Sequence, residues 1–171
     1  MALTIDQEEI FLRLVDQHRG IIRKVAAGYT STVADQHDLG QEIILQVWKA
    51  YPRYSPERPF STWMYRIALN VGISFLRRNT TPVRQTVALD AIAHELPHES
   101  TASPDLDERV ALLQDIIATL GPLDRALLLL YLDDHSYRDI AAILGITETN
   151  VATKLSRLKE RLREHLTQTR K

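Results

Sequence analysis

Residues 137–159 read YRDIAAILGITETNVATKLSRLK, a stretch that predicts two helices separated by a tight turn. The first helix has apolar residues at helical spacing, and Gly145 follows them where a helix ends and a positive φ is useful. Thr147 can cap the second helix, because its hydroxyl can accept a hydrogen bond from a free backbone N–H of the first turn. The second helix repeats apolar residues in a narrow stripe formed by Val151, Leu155, Leu158 and Leu162.

The polar face of the second helix indicates a DNA-binding helix-turn-helix. Such a helix enters the major groove, where short polar side chains reach base edges and Lys or Arg contacts phosphates or guanine. The alternative is a solvated helical hairpin, since short turns are common and a charged helix face is usually only solvated. The candidate DNA-binding residues are Arg138 in the first helix and Thr149, Asn150, Thr153, Lys154 and Arg157 in the second.

The composition of the 171-residue chain excludes several classes of protein. With 44% hydrophobic residues a packed core is expected, and the absence of cysteine excludes a disulfide framework and thiolate chemistry. The N-terminus carries acids where a signal peptide has bases, and no apolar run approaches the roughly 20 residues that a membrane span needs. We therefore expect a soluble, cytoplasmic protein.

Charge is distributed unevenly along the chain, although the net charge is −1. Residues 105–139 contain eight acidic and three basic residues, whereas residues 147–171 contain seven basic and three acidic residues. A basic helix beside an acidic support is a local footprint for a polyanion. Because phosphate neutralisation supplies most non-specific affinity, this chain should bind DNA weakly alone, which suggests that a larger assembly does part of the binding.

The first half of the chain predicts a helical bundle. Gly20 marks a kink or boundary in its first helix, and Pro52 ends the second. Ser61 or Thr62 is a candidate N-cap for the third. The expected helices span residues 5–28, 38–50 and 61–78.

Aromatic and basic residues interleave at the end of this bundle. Aromatic rings beside basic side chains suit a protein that binds single-stranded nucleic acid. Each nucleobase offers a π-face, and stacking it on an aromatic ring is worth about 1–3 kcal/mol. The alternative is that aromatic residues at helical spacing belong to the core. The residues concerned are Tyr51, Tyr54, Phe60, Trp63 and Tyr65, with Arg53, Arg58, Arg66, Arg77 and Arg78.

The second half predicts a linker and a second helical domain. Residues 79–104 are rich in Thr, Ser, Pro, Ala and His and have little periodicity, so we expect a flexible linker. Helices over residues 105–119 and 123–132 then precede the helix-turn-helix. The expected fold class is therefore all-α, with two small helical domains.

The linker contains the sequence HELPH at residues 94–98, which matches the H-E-x-x-H signature of zinc proteases. That chemistry needs both histidines on one helical face, with the glutamate as base. Pro97 lies between the histidines and would disrupt a helix there. We therefore expect no metal site and no cofactor.

Two stretches, taken together and in this order, resemble the small two-domain bacterial sigma factors of the extracytoplasmic-function (ECF) group. The first is DLGQEI at residues 38–43 with VWK at 47–49, followed by FSTWMYRIALN at 60–70. The second is LGPLDR at residues 120–125, which leads into the helix-turn-helix. The resemblance covers most of the chain.

The resemblance implies a sigma region 2-like domain over residues 1–78, a linker over 79–104 and a sigma region 4-like domain over 105–171. The first domain would dock on core RNA polymerase and capture an unstacked base of the minus-ten element, and the second would read the minus-thirty-five element. The residues implied for core polymerase binding are Asp38, Gln41, Glu42, Gln46 and Trp48. Those implied for the minus-ten single strand are Arg53, Tyr54, Arg58, Phe60, Trp63, Arg66 and Asn70. The implied partners are core RNA polymerase, promoter DNA and an anti-sigma factor.

Two departures from the family pattern bear on this interpretation. The family often has an aspartate where this chain has Ser74, which alters a surface contact. Its recognition helix often begins Gly-Thr-Val-Lys-Ser-Arg, whereas residues 149–154 read TNVATK, so promoter preference cannot be carried over.

Three function classes remain open from the sequence. A sigma factor would direct promoter recognition, DNA melting and transcription initiation without enzymatic activity of its own. The second is a duplex-DNA-binding helix-turn-helix transcriptional regulator, which would not need the aromatic and basic segment 51–66. The third, a zinc hydrolase through His94 and His98, is the least supported, and the sequence contains no nucleophile–base set, glycine-rich phosphate loop or paired-carboxylate helix.

Overall fold

The computed structural model describes residues 5–80 and 104–169, and no strand occurs in either range. These two ranges contain eight α-helices, with a 3-10 turn at Tyr51–Arg53. The helices are α1 (Ile5–Gln17), α2 (Arg19–Tyr29), α3 (Val33–Ala50), α4 (Phe60–Asn79), α5 (Pro104–Thr119), α6 (Pro122–Leu132), α7 (Tyr137–Leu144) and α8 (Glu148–Thr169). The all-α prediction is confirmed. Nearly all of the predicted linker, including the HELPH motif, lies outside the described residues.

The first helical segment divides at His18 rather than at Gly20. The backbone of His18 leaves helical geometry, with φ −110° and ψ 15°. Its imidazole Nδ1 lies 2.8 Å from the carbonyl oxygen of Leu14, so the side chain satisfies a carbonyl at the end of α1. Gly20 is therefore an ordinary residue near the start of α2.

Two predicted helix starts are wrong. The third helix begins at Val33 instead of Asp38, because the hydroxyl of Thr32 accepts a hydrogen bond from the Asp35 backbone N–H and caps the helix earlier. The fourth helix begins at Phe60, directly after Pro59 and without a side-chain cap. Ser61 and Thr62 lie inside its first turn and cap nothing.

The core of the first domain lies between α2, α3 and α4. Apolar residues of α3 recur every four positions, so they form one stripe that faces the other two helices. Leu39, Ile43 and Val47 in this stripe are completely buried, and Met64 of α4 is equally buried against them. The opposite face of α3 is left on the surface.

The two domains pack against each other and share one continuous hydrophobic cluster. The hydroxyl of Tyr29 in α2 donates to the carbonyl oxygen of Pro122 at 2.8 Å. The guanidinium group of Arg125 in α6 donates to the carbonyl oxygen of Gly28 at 3.2 Å, and also to those of Ala118 and Leu120. One arginine thereby joins the ends of α2 and α5, and burial lowers the pKa of Arg125.

Asp133 makes a second polar contact between the domains. It follows α6, accepts a hydrogen bond from the Tyr65 hydroxyl at 2.5 Å and pairs with the Lys24 ammonium. The His135 ring packs edge-on against Tyr65, with ring centroids 5.1 Å apart. Burial opposes ionisation of Asp133, but the hydrogen bonds from Lys24 and Tyr65 outweigh it and hold the pKa of this carboxyl below its usual value.

Candidate nucleic-acid and protein interfaces

The helix-turn-helix has the local geometry that its sequence predicts. The Ser136 hydroxyl accepts from the Asp139 backbone N–H and caps α7. Gly145 ends α7 in the left-handed conformation, with φ +69°, which favours a residue without Cβ. The Thr147 hydroxyl accepts from the Asn150 backbone N–H at 3.2 Å and so holds the start of α8.

The apolar stripe of α8 is buried and its polar face is on the surface. Val151, Leu155 and Leu158 are at most 1% exposed, while Leu162 is half-buried. The candidate DNA-binding residues Thr149, Asn150, Thr153 and Arg157 are exposed, as is Arg138 on α7, and Lys154 is half-buried. The buried apolar stripe anchors α8 in the domain, and the polar and cationic side chains lie along its exposed side.

The Thr153 hydroxyl has a specific partner within α8. It donates to the carbonyl oxygen of Thr149 one turn earlier, at 2.9 Å. The lone pairs of this hydroxyl remain available on the exposed face.

Four aromatic side chains form a cluster at the start of α4. The Tyr54 ring lies 4.9 Å from Trp63 and 5.4 Å from Phe60, and stacks on Tyr51 at 6.0 Å between ring centroids. The Tyr54 hydroxyl donates to the carbonyl oxygen of Arg58 at 2.8 Å. This bond fixes the loop between the 3-10 turn and α4 over the cluster.

A cleft of about 900 Å³ opens beside the aromatic cluster. Trp63 lines it together with three exposed arginines, Arg53, Arg58 and Arg66, and with one exposed acidic residue of the same loop, Glu57. Among the side chains that the structure describes, no carboxylate comes within 4.0 Å of these guanidinium groups. Guanidinium groups around an indole ring can bind phosphates while a base stacks on the ring.

The minus-ten candidates do not all share this cleft. Phe60 is only 6% exposed, so its ring supports the cluster from below and offers no surface to a base. Tyr54 is half-buried, and its hydroxyl is already used to order the loop. Asn70 is exposed further along α4, where its carbonyl accepts from the hydroxyl of Ser74 at 2.9 Å.

The exposed face of α3 carries the candidate polymerase-binding residues. Asp38 and Gln41 are exposed, and Gln46 and Trp48 are half-buried. The Trp48 ring packs edge-on against Phe11, with centroids 4.8 Å apart, so part of this indole belongs to the core. The Glu42 carboxylate accepts two hydrogen bonds from Arg78 at 2.9 and 3.0 Å, which fixes it against α4.

Sequence reasoning missed two apolar residues of this face. Leu45 is 48% exposed and lies one turn after Gln41, and its neighbour Ile44 is 41% exposed. The sequence does indicate their exposure, because both residues fall outside the buried stripe that contains Leu39 and Ile43. Contiguous apolar surface rimmed by polar side chains marks protein-binding sites, so we add these two residues to the candidate docking face.

Three sets of candidates therefore occupy three surfaces, and two of them adjoin. The cleft that Trp63 and Arg66 line is also bordered by Asp139 and Ala142 of α7. The single-strand candidates thus lie against the helix-turn-helix, which the sequence did not predict. The α3 face contributes no residue to this cleft, and Glu42 on α3 pairs with Arg78 near the other end of α4.

Two further searches concern the described residues alone. None of their helices combines the length and the apolar character that a membrane crossing requires. Across residues 5–80 and 104–169, no three or more His, Cys, Asp or Glu side chains are grouped so that they could hold a metal ion.

Comparison with protein families finds two matches, in the order that the sequence predicts. The family model described as Sigma-70 region 2 matches residues 14–81. The model described as Sigma-70, region 4 matches residues 111–162. Together they cover more than two thirds of the chain. The first contains Trp63 and the three arginines of the cleft, and the second contains the helix-turn-helix.

Similar proteins carry the same description. The chain is 26% identical to the ECF RNA polymerase sigma factor SigW of Bacillus subtilis, covering 93% of this chain and 90% of SigW. It is 28% identical to SigE of Mycolicibacterium smegmatis, covering 90% of this chain and 60% of SigE.

Solved structures share the fold. CnrH, in complex with the cytosolic domain of CnrY, aligns with a TM-score of 0.68 at 20% identity, covering 94% of this chain and 89% of CnrH. RpoE of Bartonella quintana, in complex with the anti-sigma factor NepR, aligns with a TM-score of 0.67 at 22% identity, covering 96% and 98%. With both regions matched in order, the chain belongs to the sigma-70 family of RNA polymerase sigma factors, within its extracytoplasmic-function group.

Proposed function

We propose that this chain docks on core RNA polymerase through the α3 face, holds melted minus-ten DNA at the cleft beside Trp63, and reads the minus-thirty-five duplex with α8. The observation that carries the proposal is the combination of an arginine-lined aromatic cleft in the region 2 match with an exposed polar recognition helix in the region 4 match. A regulator that binds only duplex DNA has no use for such a cleft, and the family membership does not favour that alternative.

Each surface has the chemistry that its role needs. Flipping a base out of the duplex costs a few kcal/mol, and stacking on Trp63 with phosphate contacts from Arg58 and Arg66 offsets that cost. Short polar side chains such as Asn150 can form paired hydrogen bonds with a base edge in the major groove. Leu45 and Gln41 supply apolar contact and hydrogen bonding to a protein partner.

The remaining parts of the proposal concern organisation and partners. The domains would be residues 1–78 and 105–171, joined by 79–104, and the chain would act in the cytoplasm without catalytic activity of its own. An anti-sigma partner is proposed because the similar structure of RpoE holds the anti-sigma factor NepR. Its test is whether a candidate anti-sigma protein prevents this chain from binding core polymerase.

The main experiment measures binding to bacterial core RNA polymerase, followed by run-off transcription from a genomic promoter library. We expect core binding and new promoter-specific transcripts. Arg66→Ala should retain core binding and lose promoter opening, whereas Asn150→Ala should retain core binding and change promoter choice. Arg23→Ala is the matched control, because Arg23 is an exposed helical arginine outside all three surfaces. Tight binding to duplex DNA without any core binding would replace the proposal with the regulator.

A further inference from the structure

Lys159 lies beside two tyrosines on a side of α8 that carries none of the candidate DNA-binding residues. Its ammonium nitrogen sits over the Tyr131 ring of α6, 4.1 Å from the ring centroid. Hydrogen bonding to the Tyr131 hydroxyl contributes most to a raised pKa of Lys159, and Tyr137 at the start of α7 contributes further. Lys159 is therefore held as a cation where three mutually packed helices meet.

The cluster of Lys159, Tyr131 and Tyr137 holds its positive charge without a carboxylate. Among the side chains that the structure describes, no carboxylate oxygen lies within 4.0 Å of the Lys159 ammonium. Arg161, only two residues further along α8, is instead paired with Asp124. The tyrosine rings are neutral, so they fix the ammonium group without cancelling its charge. That charge remains available to an external anion.

All three polar groups of the cluster can donate hydrogen bonds to such an anion. An ammonium group has three protons, so contacts with two hydroxyl oxygens leave one for a ligand. A tyrosine that accepts from Lys159 keeps its own hydroxyl proton. The hydroxyls of Tyr54 and Tyr65 donate to protein oxygens, whereas within the described ranges no protein acceptor takes the proton of Tyr131 or Tyr137. One N–H and two O–H groups suit the oxygens of a phosphate.

The cluster is accessible next to the helix-turn-helix. Tyr131 is 37% exposed, Tyr137 is 38% exposed and directly precedes the candidate Arg138, and Lys159 is half-buried. Lys159 follows Arg157 by two residues, so the two side chains project about 160° apart around α8. A helix in the major groove has a phosphate backbone on either side of it. Cations on two sides of α8 can therefore contact both backbones.

We propose that Lys159, Tyr131 and Tyr137 form a phosphate-binding site that holds one backbone phosphate of the duplex entered by α8. The ligand is a phosphodiester group, so the contact carries no base preference and serves to position the helix in the groove. The site rests on the proposed reading of duplex DNA by α8 and deepens it. Asn150 would discriminate between base pairs, and the cluster would set the register in which it does so.

Fluorescence anisotropy of a labelled random-sequence duplex, titrated with the full chain at several salt concentrations, tests the site. Each phosphate contact contributes about 0.9 to the slope of log K against log salt. Lys159→Gln should therefore reduce the magnitude of this slope by about 0.9 and weaken binding about tenfold at low salt, equally for duplexes of unrelated sequence. Lys159→Arg keeps the charge and should retain the slope. Lys49→Gln, at an exposed helical lysine of the other domain, is the matched control and should change neither quantity.

The tyrosines distinguish a phosphate site from simple packing of α8 on α6. Tyr137→Phe removes one hydroxyl but no charge, so it should weaken duplex binding about fivefold and leave the salt slope and Tm unchanged. If Lys159 served packing alone, Lys159→Gln would lower Tm without changing the slope. That result, or no duplex binding by the unchanged chain at low salt, would overturn the site.

Failure of the proposed base reading gives a different pattern. In that case Asn150→Ala would leave promoter choice unchanged in run-off transcription, while Lys159→Gln would still reduce the salt slope. Conversely, an altered promoter choice in Asn150→Ala with an unchanged slope in Lys159→Gln would retain the reading helix and remove the phosphate site.

Discussion

Gly72 in α4 allows the first domain to pack around Tyr29, and Gly72→Ala tests how firmly that ring is held. A Cβ at residue 72 would lie 2.8 Å from Tyr29 Cδ2 and 3.0 Å from Tyr29 Cγ. Tyr29 is 2% exposed, and its hydroxyl is bonded to the carbonyl oxygen of Pro122 at 2.8 Å. The ring is therefore buried and held at its hydroxyl end, and a Cβ at residue 72 would have to displace it.

Two opposing contributions set the size of the effect. Overpacking a well-filled core costs about 1–3 kcal/mol, and three ring atoms within 3.2 Å place this site in the upper half of that range. Replacing a helical glycine with alanine returns about 0.8–1 kcal/mol. We expect Gly72→Ala to lower the free energy of unfolding by about 1–2 kcal/mol, which for a chain of this size lowers Tm by about 2–8 °C.

Urea denaturation followed by circular dichroism measures this effect, and Gly20→Ala is the control. Gly20 also lies in a helix, but a Cβ there meets nothing within 4 Å, so the same change should stabilise the protein by up to about 1 kcal/mol. In a Tyr29→Phe background, where the ring is released from Pro122, the penalty at residue 72 should shrink. Stabilisation by Gly72→Ala in the unchanged background would refute the reasoning, because it would mean that Tyr29 moves aside at no cost.

Three further predictions concern the other surfaces. Leu45→Asp should weaken core polymerase binding at least tenfold in a pull-down titration. The same change should leave Tm within about 2 °C, because the Leu45 side chain is 48% exposed. Unchanged binding would remove Leu45 from the proposed docking face. Leu155→Ala should lower the free energy of unfolding in urea by about 2–5 kcal/mol, because this leucine is 1% exposed. Asn150→Ala should lower it by under about 0.5 kcal/mol, because Asn150 is exposed. Similar losses for the two variants would contradict the division of α8 into a buried face and a proposed DNA-reading face. The pKa of Asp133 is lowered in the folded protein, so its stabilising effect is complete well above about pH 4, the ordinary aspartate value, and is lost as pH falls through the lower folded value. The difference in unfolding free energy between the unchanged chain and Asp133→Asn should therefore be constant from pH 6 to 7 and shrink below about pH 4, and a difference that grows on acidification would reverse the assigned sign.

The helix-turn-helix was predictable because its determinants are local. Ser136, Gly145 and Thr147 each act within four residues of their own position, through a cap or a left-handed turn. The apolar stripe that begins at Val151 follows from helical periodicity alone. These features lie where the sequence predicts them.

The helix boundaries of the first domain show where local reasoning was incomplete. The pair Thr32 and Asp35 is a recognisable capping signal, but apolar periodicity alone places the start of this helix at Asp38. His18 carries no comparable signal, because its role depends on a bond from its ring to Leu14. The resemblance implies Phe60 as a single-strand contact, whereas only the packed cluster reveals that its ring is covered.

The packing of the two domains could not have been predicted from spacing or periodicity. Lys24 and Asp133 are 109 residues apart in the chain, and nothing near either residue indicates the other. Asp133 lies between a predicted helix and the helix-turn-helix, in the polar sequence DDHS at residues 133–136, which carries no sign of a distant partner. Likewise, Gly28 reads only as the end of a predicted helix, whereas in the structure α6 packs so closely on it that a Cβ there would meet Leu129.

The hydrogen bond of Thr153 to the preceding turn of α8 has a consequence for base discrimination. A threonine hydroxyl has one proton, and here the Thr149 carbonyl takes it. If α8 reads the major groove as proposed, Thr153 could then only accept there, so it would pair with the amino group of adenine or cytosine and be mismatched to the oxygen of guanine or thymine. Asn150, which both donates and accepts, has no such restriction. Adjacent turns of one helix would therefore differ in how strictly they read a base pair, with the stricter reading set by a proton that never faces the DNA.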